Sequence, residues 1–322
     1  MIKIFKSNKF IVLTLFIMCI ILLFNPLVYA NTCLNAISVW AVKVLPLLFP
    51  FFILTKLIVN LSTPKENFMD KFFNKVYHTP AGSFSTFILS VLSGYPMGAK
   101  LICEQYENRH INSKQAEKML SFCSVSGPMF MLGTVGLAML NSYKIGLIIL
   151  FSNILASLLN GLIYRGRKNN ELKKDCQIKL NKKSLSDIVY DSLISILMVG
   201  SFIVLSFLLI EILNNLKIFT FVSDIICGVF KIKQHQDVVL AIMSGLIEIT
   251  RGISDLAVCS VSLKIKGLIA SSLIGFGGLS ILLQSMSFLN KLNLSTKTML
   301  KQKFTQGVLC LIISTLLCLI IL

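Results

Sequence analysis

Acidic side chains are scarce in this chain: 14 Asp and Glu stand against 31 Lys and Arg, and charged residues of both signs make up only 14% of 322 positions. A soluble globular domain carries about a quarter charged residues. Together with 55% hydrophobic residues and a mean hydropathy of +0.80, this excludes a soluble globular protein. Histidine is nearly absent, and His78, His110 and His235 stand apart in polar segments. The nine cysteines form no CxxC or Cys/His group. Cys19, Cys123, Cys227, Cys310 and Cys318 fall in apolar runs, where a free thiol acts as a small hydrophobe. Neither a disulfide framework nor a metal site is expected. Catalytic signatures are missing too: "GYPMGAK" lacks the Gly-Lys-Ser/Thr ending of a P-loop, no HExxH or GxSxG occurs, and "GFGG" follows no Rossmann-type strand. The chain is therefore expected to have no catalytic residue and no cofactor, and not to be an enzyme. An intramembrane enzyme would have to use Ser126 or Cys123 beside Glu104, a poor constellation.

What is present are apolar runs long enough to cross a bilayer, beginning at Phe10, Ala36, Ile145 and Asp187, with a shorter run, "GVLCLIISTLLCLIIL", at the end. The fold class expected is an all-α polytopic membrane protein. The net charge of +17 does not point to nucleic acid, because the basic residues sit mostly in short segments between apolar runs, as cytoplasmic loops require. Lys3, Lys6 and Lys9 precede an apolar stretch ending "VYA", which reads either as a signal peptide cleaved after Ala30 or as an uncleaved helix. The uncleaved N-terminal helix, 1–31, is the reading taken.

The chain also repeats itself. "SGYPMGAKLICE" and "SGLIEITRGISD" share the pattern S-G-x5-[K/R]-x3-[D/E], pairing Ser93 with Ser244, Gly94 with Gly245, Lys100 with Arg251 and Glu104 with Asp255 at one offset, 244 − 93 = 151. At that offset Gly127 falls on Gly278, Ser121 on Ser272, and "PFFIL" from Pro50 on "SFIVL" from Ser201, without a gap. Each unit carries an amphipathic stripe, Phe68 to Tyr77 in one and Ile218 to Phe230 in the other. The organisation expected is repeat one at 34–164, a basic cytoplasmic linker at 165–184 and repeat two at 185–322.

Crossings are expected at 10–30, 36–61, 119–140 and 145–164 in the first part, and at 187–212, 267–285 and 307–322 in the second. Only ten mostly apolar residues precede Ser93, and Pro96 with two glycines cannot continue a regular helix, so this segment reads as a re-entrant hairpin, matched by one at 236–256. Three crossings per unit make the second copy inverted. The positive-inside rule puts "RGRKNNELKKDCQIKLNKK" in the cytoplasm; it also leaves Lys217, Lys231, Lys233, Lys264 and Lys266 on the far side, against the rule.

An ionised side chain in mid-membrane costs roughly 2.5 to 3.5 kcal/mol, so such residues face protein or water. Inverted repeats with broken helices bring their tips together at the midplane, which is expected to set Lys100 and Arg251 around one cavity holding a small anionic substrate. The plainer alternative pairs Lys100 with Glu104 and Arg251 with Asp255 or Glu248 along their own helices. Ser93, Gly94, Ser244, Gly245, Ser126, Gly127, Gly277 and Gly278 complete the candidate site; each alone is as readily a close-packing residue of a helix bundle. Glu104, Glu248 and Asp255 are the candidate supporting or coupling acids, for a coupling ion or proton. The partners expected are that substrate, the lipid bilayer and no nucleic acid; nothing fixes an oligomeric state.

The motifs S-G-Y-P-M-G-A-K, F-C-x-x-S-G-P and G-L-I-E-I-T-R-G resemble, over nearly the whole chain, the YlbJ (SpoVV) family of sporulation integral membrane proteins. That family's repeats are similar to the Gate domain of nucleoside transporters. The resemblance implies a protein of the outer forespore membrane of endospore-forming bacteria, implicated in moving dipicolinic acid towards the spore. A non-transporting membrane factor that scaffolds other proteins, or a nucleoside-type transporter, are the other readings.

Overall fold

A computed structural model describes residues 8–61, 68–166, 184–289 and 295–321, and among these no strand occurs. Most of the basic linker lies outside the described residues. The chain begins with α1 (Asn8–Phe24) and α2 (Pro26–Val39), which runs through a π turn at Trp40–Val44 into α3 (Leu45–Leu61). The break expected between residues 30 and 36 thus falls at Asn25 instead. Pro26 sits in the first turn of α2, where its missing N–H is no loss, and the polar stretch that follows stays helical, Thr32 returning its hydroxyl to the Val28 carbonyl at 3.0 Å.

The first unit continues with α4 (Phe68–Tyr77), α5 (Ser83–Ser93), α6 (Met97–Glu107), α7 (Ser113–Cys123), a π-helical segment at Phe130–Met139, and α8 (Tyr143–Ile163). The second has α9 (Leu185–Asn215), α10 (Ile218–Phe230), α11 (Gln236–Ile247), α12 (Ile249–Val258), α13 (Leu263–Phe276), α14 (Gly278–Leu289) and α15 (Thr296–Ile321). Adding 151 to the bounds of α4 to α7 gives 219–228, 234–244, 248–258 and 264–274, close to the observed α10 to α13. Starts are set by side-chain caps: Asn112 and Gln115 form a capping box on α7, Ser184 and Asp187 another on α9, and Ser142 and Ser262 cap α8 and α13.

Among the described residues, five helical stretches are long and apolar enough to cross a membrane: Pro26–Ile58, Tyr143–Ile163, Leu185–Asn215, Leu263–Leu289 and Thr296–Ile321. This is a polytopic, all-helical arrangement. The crossings expected at 119–140 and 267–285 are each split, the first between α7 and the π segment by residues 124–127, the second by Gly277. The last helix starts at Thr296 rather than 307, which draws Lys297, Lys301 and Lys303 into it. An aromatic cluster of Phe73, Tyr77, Phe87 and Phe122 ties α4, α5 and α7 together. Met131, Ile145, Ile149, Ile249, Ile253 and Ile274 share a second core that joins the two units.

Candidate functional site

The two hairpins are built from the residues that interrupt them. In the first, α5 ends at Gly94, whose φ of +69° is a left-handed conformation that L side chains rarely adopt. The tip then lies against the break after α7: a Cβ added to Gly94 would stand 2.5 Å from the Gly127 nitrogen. Gln105 of α6 holds the two arms together by donating to the Thr86 hydroxyl at 2.8 Å. In the second hairpin, Glu248 takes an extended backbone between α11 and α12 and caps α12, its Oε2 accepting the Arg251 N–H at 2.8 Å and the Thr250 hydroxyl. Here too the tip lies on a break, for a Cβ on Gly278 would meet the carbonyls of Ile247 and Gly245 at 3.2 and 3.3 Å. Gly94 with Gly127, and Gly245 with Gly278, are the same pair displaced by 151 residues.

Both tips line one narrow cavity of about 60 Å³, room for about two waters. Ser93, Gly94 and Tyr95 come from the first hairpin, Ser126 and Gly127 from the break after α7, Glu248 and Thr250 from the second hairpin, and Ser280 and Gln284 from α14. Apolar walls are supplied by α3, Phe130 and α9. An adjoining cavity of about 200 Å³ shares Phe52, Ser93, Tyr95, Val199 and Gln284 and adds Lys56, Lys100 and Asp191. Lys56 donates to the Asp191 carbonyl at 2.6 Å and the Ser195 hydroxyl at 2.9 Å. Ser93 is buried, and its hydroxyl has no hydrogen-bond partner among the described residues.

Of the residues singled out from the sequence, Ser93, Gly94, Ser126, Gly127 and Glu248 meet at the first cavity, and Lys100 lines the second. Ser244, Gly245, Gly277 and Gly278 build the second hairpin and the break beneath it without lining either. Arg251 is not brought to Lys100: it stacks 5.3 Å from the Phe207 ring centre and pairs with Asp255 at 2.9 Å. Glu104 is exposed and makes no ion pair with Lys100 among the described residues. Tyr95, Thr250, Gln284 and Lys303 were not evident in the sequence. Gln284 interrupts the apolar run "LSILLQSMSFL", but its match at the 151 offset is Gly133, so the repeat gave it no support.

Over 302 residues the chain is 27% identical to the sporulation integral membrane protein YlbJ of Bacillus subtilis (strain 168), covering 85% of this chain and 74% of that protein. This similarity supports membership of the YlbJ family. It agrees with the motifs at both hairpins and with an integral membrane protein rich in apolar helices. No family model matches the chain, and no solved structure does.

Proposed function

We propose that the protein is a membrane transporter of a small anionic metabolite, built from two inverted repeats that follow an extra N-terminal helix and working by alternating access at a site between the hairpin tips. The observation that carries this reading is the paired docking: each tip sits on the glycine break of its own unit, and both tips close on one small cavity whose mostly apolar lining gathers the polar groups of Ser93, Ser126, Glu248, Thr250, Ser280 and Gln284. A scaffold has no need of such a cavity. Small-residue contacts such as Gly94 on Gly127 allow a tip to lift without tearing a hydrophobic core, which suits a gate. With α7 and the Phe130–Met139 segment counted together as one split crossing beside α2–α3 and α8, the first unit has three crossing elements, as does the second with α9, α13–α14 and α15, so the second copy runs the other way through the membrane.

Dipicolinate, a planar dianion, is the substrate the family resemblance favours, and the outer forespore membrane is the location that goes with it; the name of the Bacillus relative, a sporulation integral membrane protein, is in keeping with both. Lys100, with Lys56 behind it, is the anion-facing side of the site, while Arg251 braces α12 against α9 through Phe207. Ser93, with its unpaired hydroxyl, lines both cavities and is the polar group left to a substrate there. Glu248 favours a second reading, a nucleoside-type substrate whose hydroxyls would donate to the carboxylate.

Uptake into vesicles containing the purified protein separates these. Dipicolinate accumulation that falls at least tenfold in Lys100→Gln at matched expression supports the anion site. Accumulation that Lys100→Gln leaves intact removes Lys100 from the site, and uptake competed by nucleosides but not by dipicolinate selects the second reading. Absence of any uptake rejects transport in favour of a scaffold.

A further inference from the structure

Lys303 is only 2% exposed and plays no part in the cavities described above. From α15 its ammonium donates to the Ser124 carbonyl at 2.6 Å, to Gln306 Oε1 at 3.0 Å and to the Tyr95 hydroxyl. The Tyr95 hydroxyl gives its own proton to the Ser124 carbonyl at 3.1 Å, so towards Nζ it accepts; three acceptors then need three N–H donors, and a neutral amine has two, so this geometry describes the charged form. The Tyr95 ring centre is 4.5 Å from Nζ, which lies at the hydroxyl end of the ring. Ser124 ends α7, so its carbonyl belongs to the partly negative end of that helix. A buried ammonium is expensive to desolvate, and among the described residues no carboxylate pairs with this one.

We propose that Ser124, Tyr95 and Gln306 form a site for a monovalent, ammonium-type cation, which the chain fills with its own Lys303, and that this tethered cation pins the first hairpin tip and the end of α7 to α15. The site belongs to one unit only. The position matching Lys303 is Ser152 (303 − 151 = 152), and the one matching Tyr95 is Leu246 (95 + 151 = 246). The inference stands independently of the transport reading.

The same site accommodates loss of the proton to water. The amide Nε2 of Gln306 is buried without an acceptor, and a half-turn of that amide would offer it to the lone pair of a neutral Nζ. Both states then keep their hydrogen bonds, but the neutral one loses the attraction to the end of α7, and its bonds are roughly half as strong. Pinning is therefore complete while Lys303 is protonated and weakens as pH rises through its titration. The titratable groups facing it are Tyr95 from the hairpin, Cys123 beside Ser124 on α7, and Cys310 two turns along α15. At this depth α8 and α13 meet α15 through Asn160 and Ser272, which carry no charge.

The test uses the full-length protein in lipid nanodiscs. Lys303→Ala, and Lys303→Ser as the residue of the matching position, should lower the thermal midpoint. Methylammonium chloride should restore most of the loss and leave the wild type unchanged, whereas tetramethylammonium, having no N–H, should restore nothing. Variants that respond equally to both salts, or lose no stability, overturn the proposal. If neither variant folds, hydrogen exchange of residues 93–98 in the wild type decides: protection, corrected for intrinsic rate, should fall as pH rises. Protection that stays constant through alkaline pH overturns it.

Discussion

Ser93 and Gly94 are neighbours in the chain with separable roles, and substitutions tell them apart. The Ser93 hydroxyl is buried and bonds to nothing among the described residues, so Ser93→Ala removes no interaction that holds the fold. Its thermal midpoint in detergent is expected to stay within the shift of about 0.5 kcal/mol that neutral substitutions show, while KM for substrate uptake rises roughly two- to tenfold, the worth of one hydrogen bond. A stability loss without a change in KM would assign Ser93 to packing. Gly94→Ala behaves in the opposite way, because its φ of +69° and the contact with Gly127 both exclude a Cβ. It should destabilise by about 1 to 3 kcal/mol, the range for a strained backbone position, read as a lowered denaturation midpoint. Both positions were visible in the sequence as part of a repeated motif. Lys303 was not, because it follows Lys297 and Lys301 in what reads as a basic flank, and its acceptors lie on Tyr95 and Ser124, far away in the chain.

At the scale of elements, what the sequence disclosed were the breaks. Gly94, Pro96, Gly277 and Gly278 interrupt apolar runs locally, so a reader of the chain meets them where the structure uses them, and the 151-residue offset then recovers α10 to α13 from α4 to α7 within a few residues. Where termination depends on tertiary partners the reading failed. The start of α15 was placed too late because its first turns are polar, yet Gln302, Lys303 and Gln306 are buried there by bonds to Glu117, Ser124 and each other. Likewise Arg251, expected to face Lys100 across one cavity, makes the local pair that was the plainer alternative, since Asp255 lies one turn along the same helix at salt-bridge distance. Glu248 is legible in hindsight as a cap. Glu248→Ala removes the acceptor for two donors at the start of α12 and should destabilise by about 0.5 to 2 kcal/mol. Faster hydrogen exchange should be confined to residues 249–253, and Glu248→Asp, which retains a capping carboxylate, should recover most of the protection. Exchange that rises evenly over the whole chain would mean that Glu248 acts beyond the hairpin.

Across the whole molecule, the proposed inverted arrangement makes a demand that the helix contacts alone do not. If the two units run oppositely, the far ends of their hairpins open on opposite faces of the membrane. Arg109 and Ser260 are exposed, follow α6 and α12 respectively, and are matched by the offset (109 + 151 = 260). Arg109→Cys and Ser260→Cys, each in a chain with Cys19, Cys33 and Cys176 changed to Ser, should therefore be labelled by an impermeant maleimide from opposite sides. In right-side-out vesicles one reacts and the other does not; in inverted vesicles the order is exchanged. The physical reason is parity, since the three crossing elements proposed for each unit would return the chain to the opposite face before the pattern begins again. Labelling of both positions from one side would make the units parallel, and the two tips would then approach the cavity from the same leaflet. Alternating access would lose its basis, because a gate on each side of the site requires one hairpin to open to each compartment.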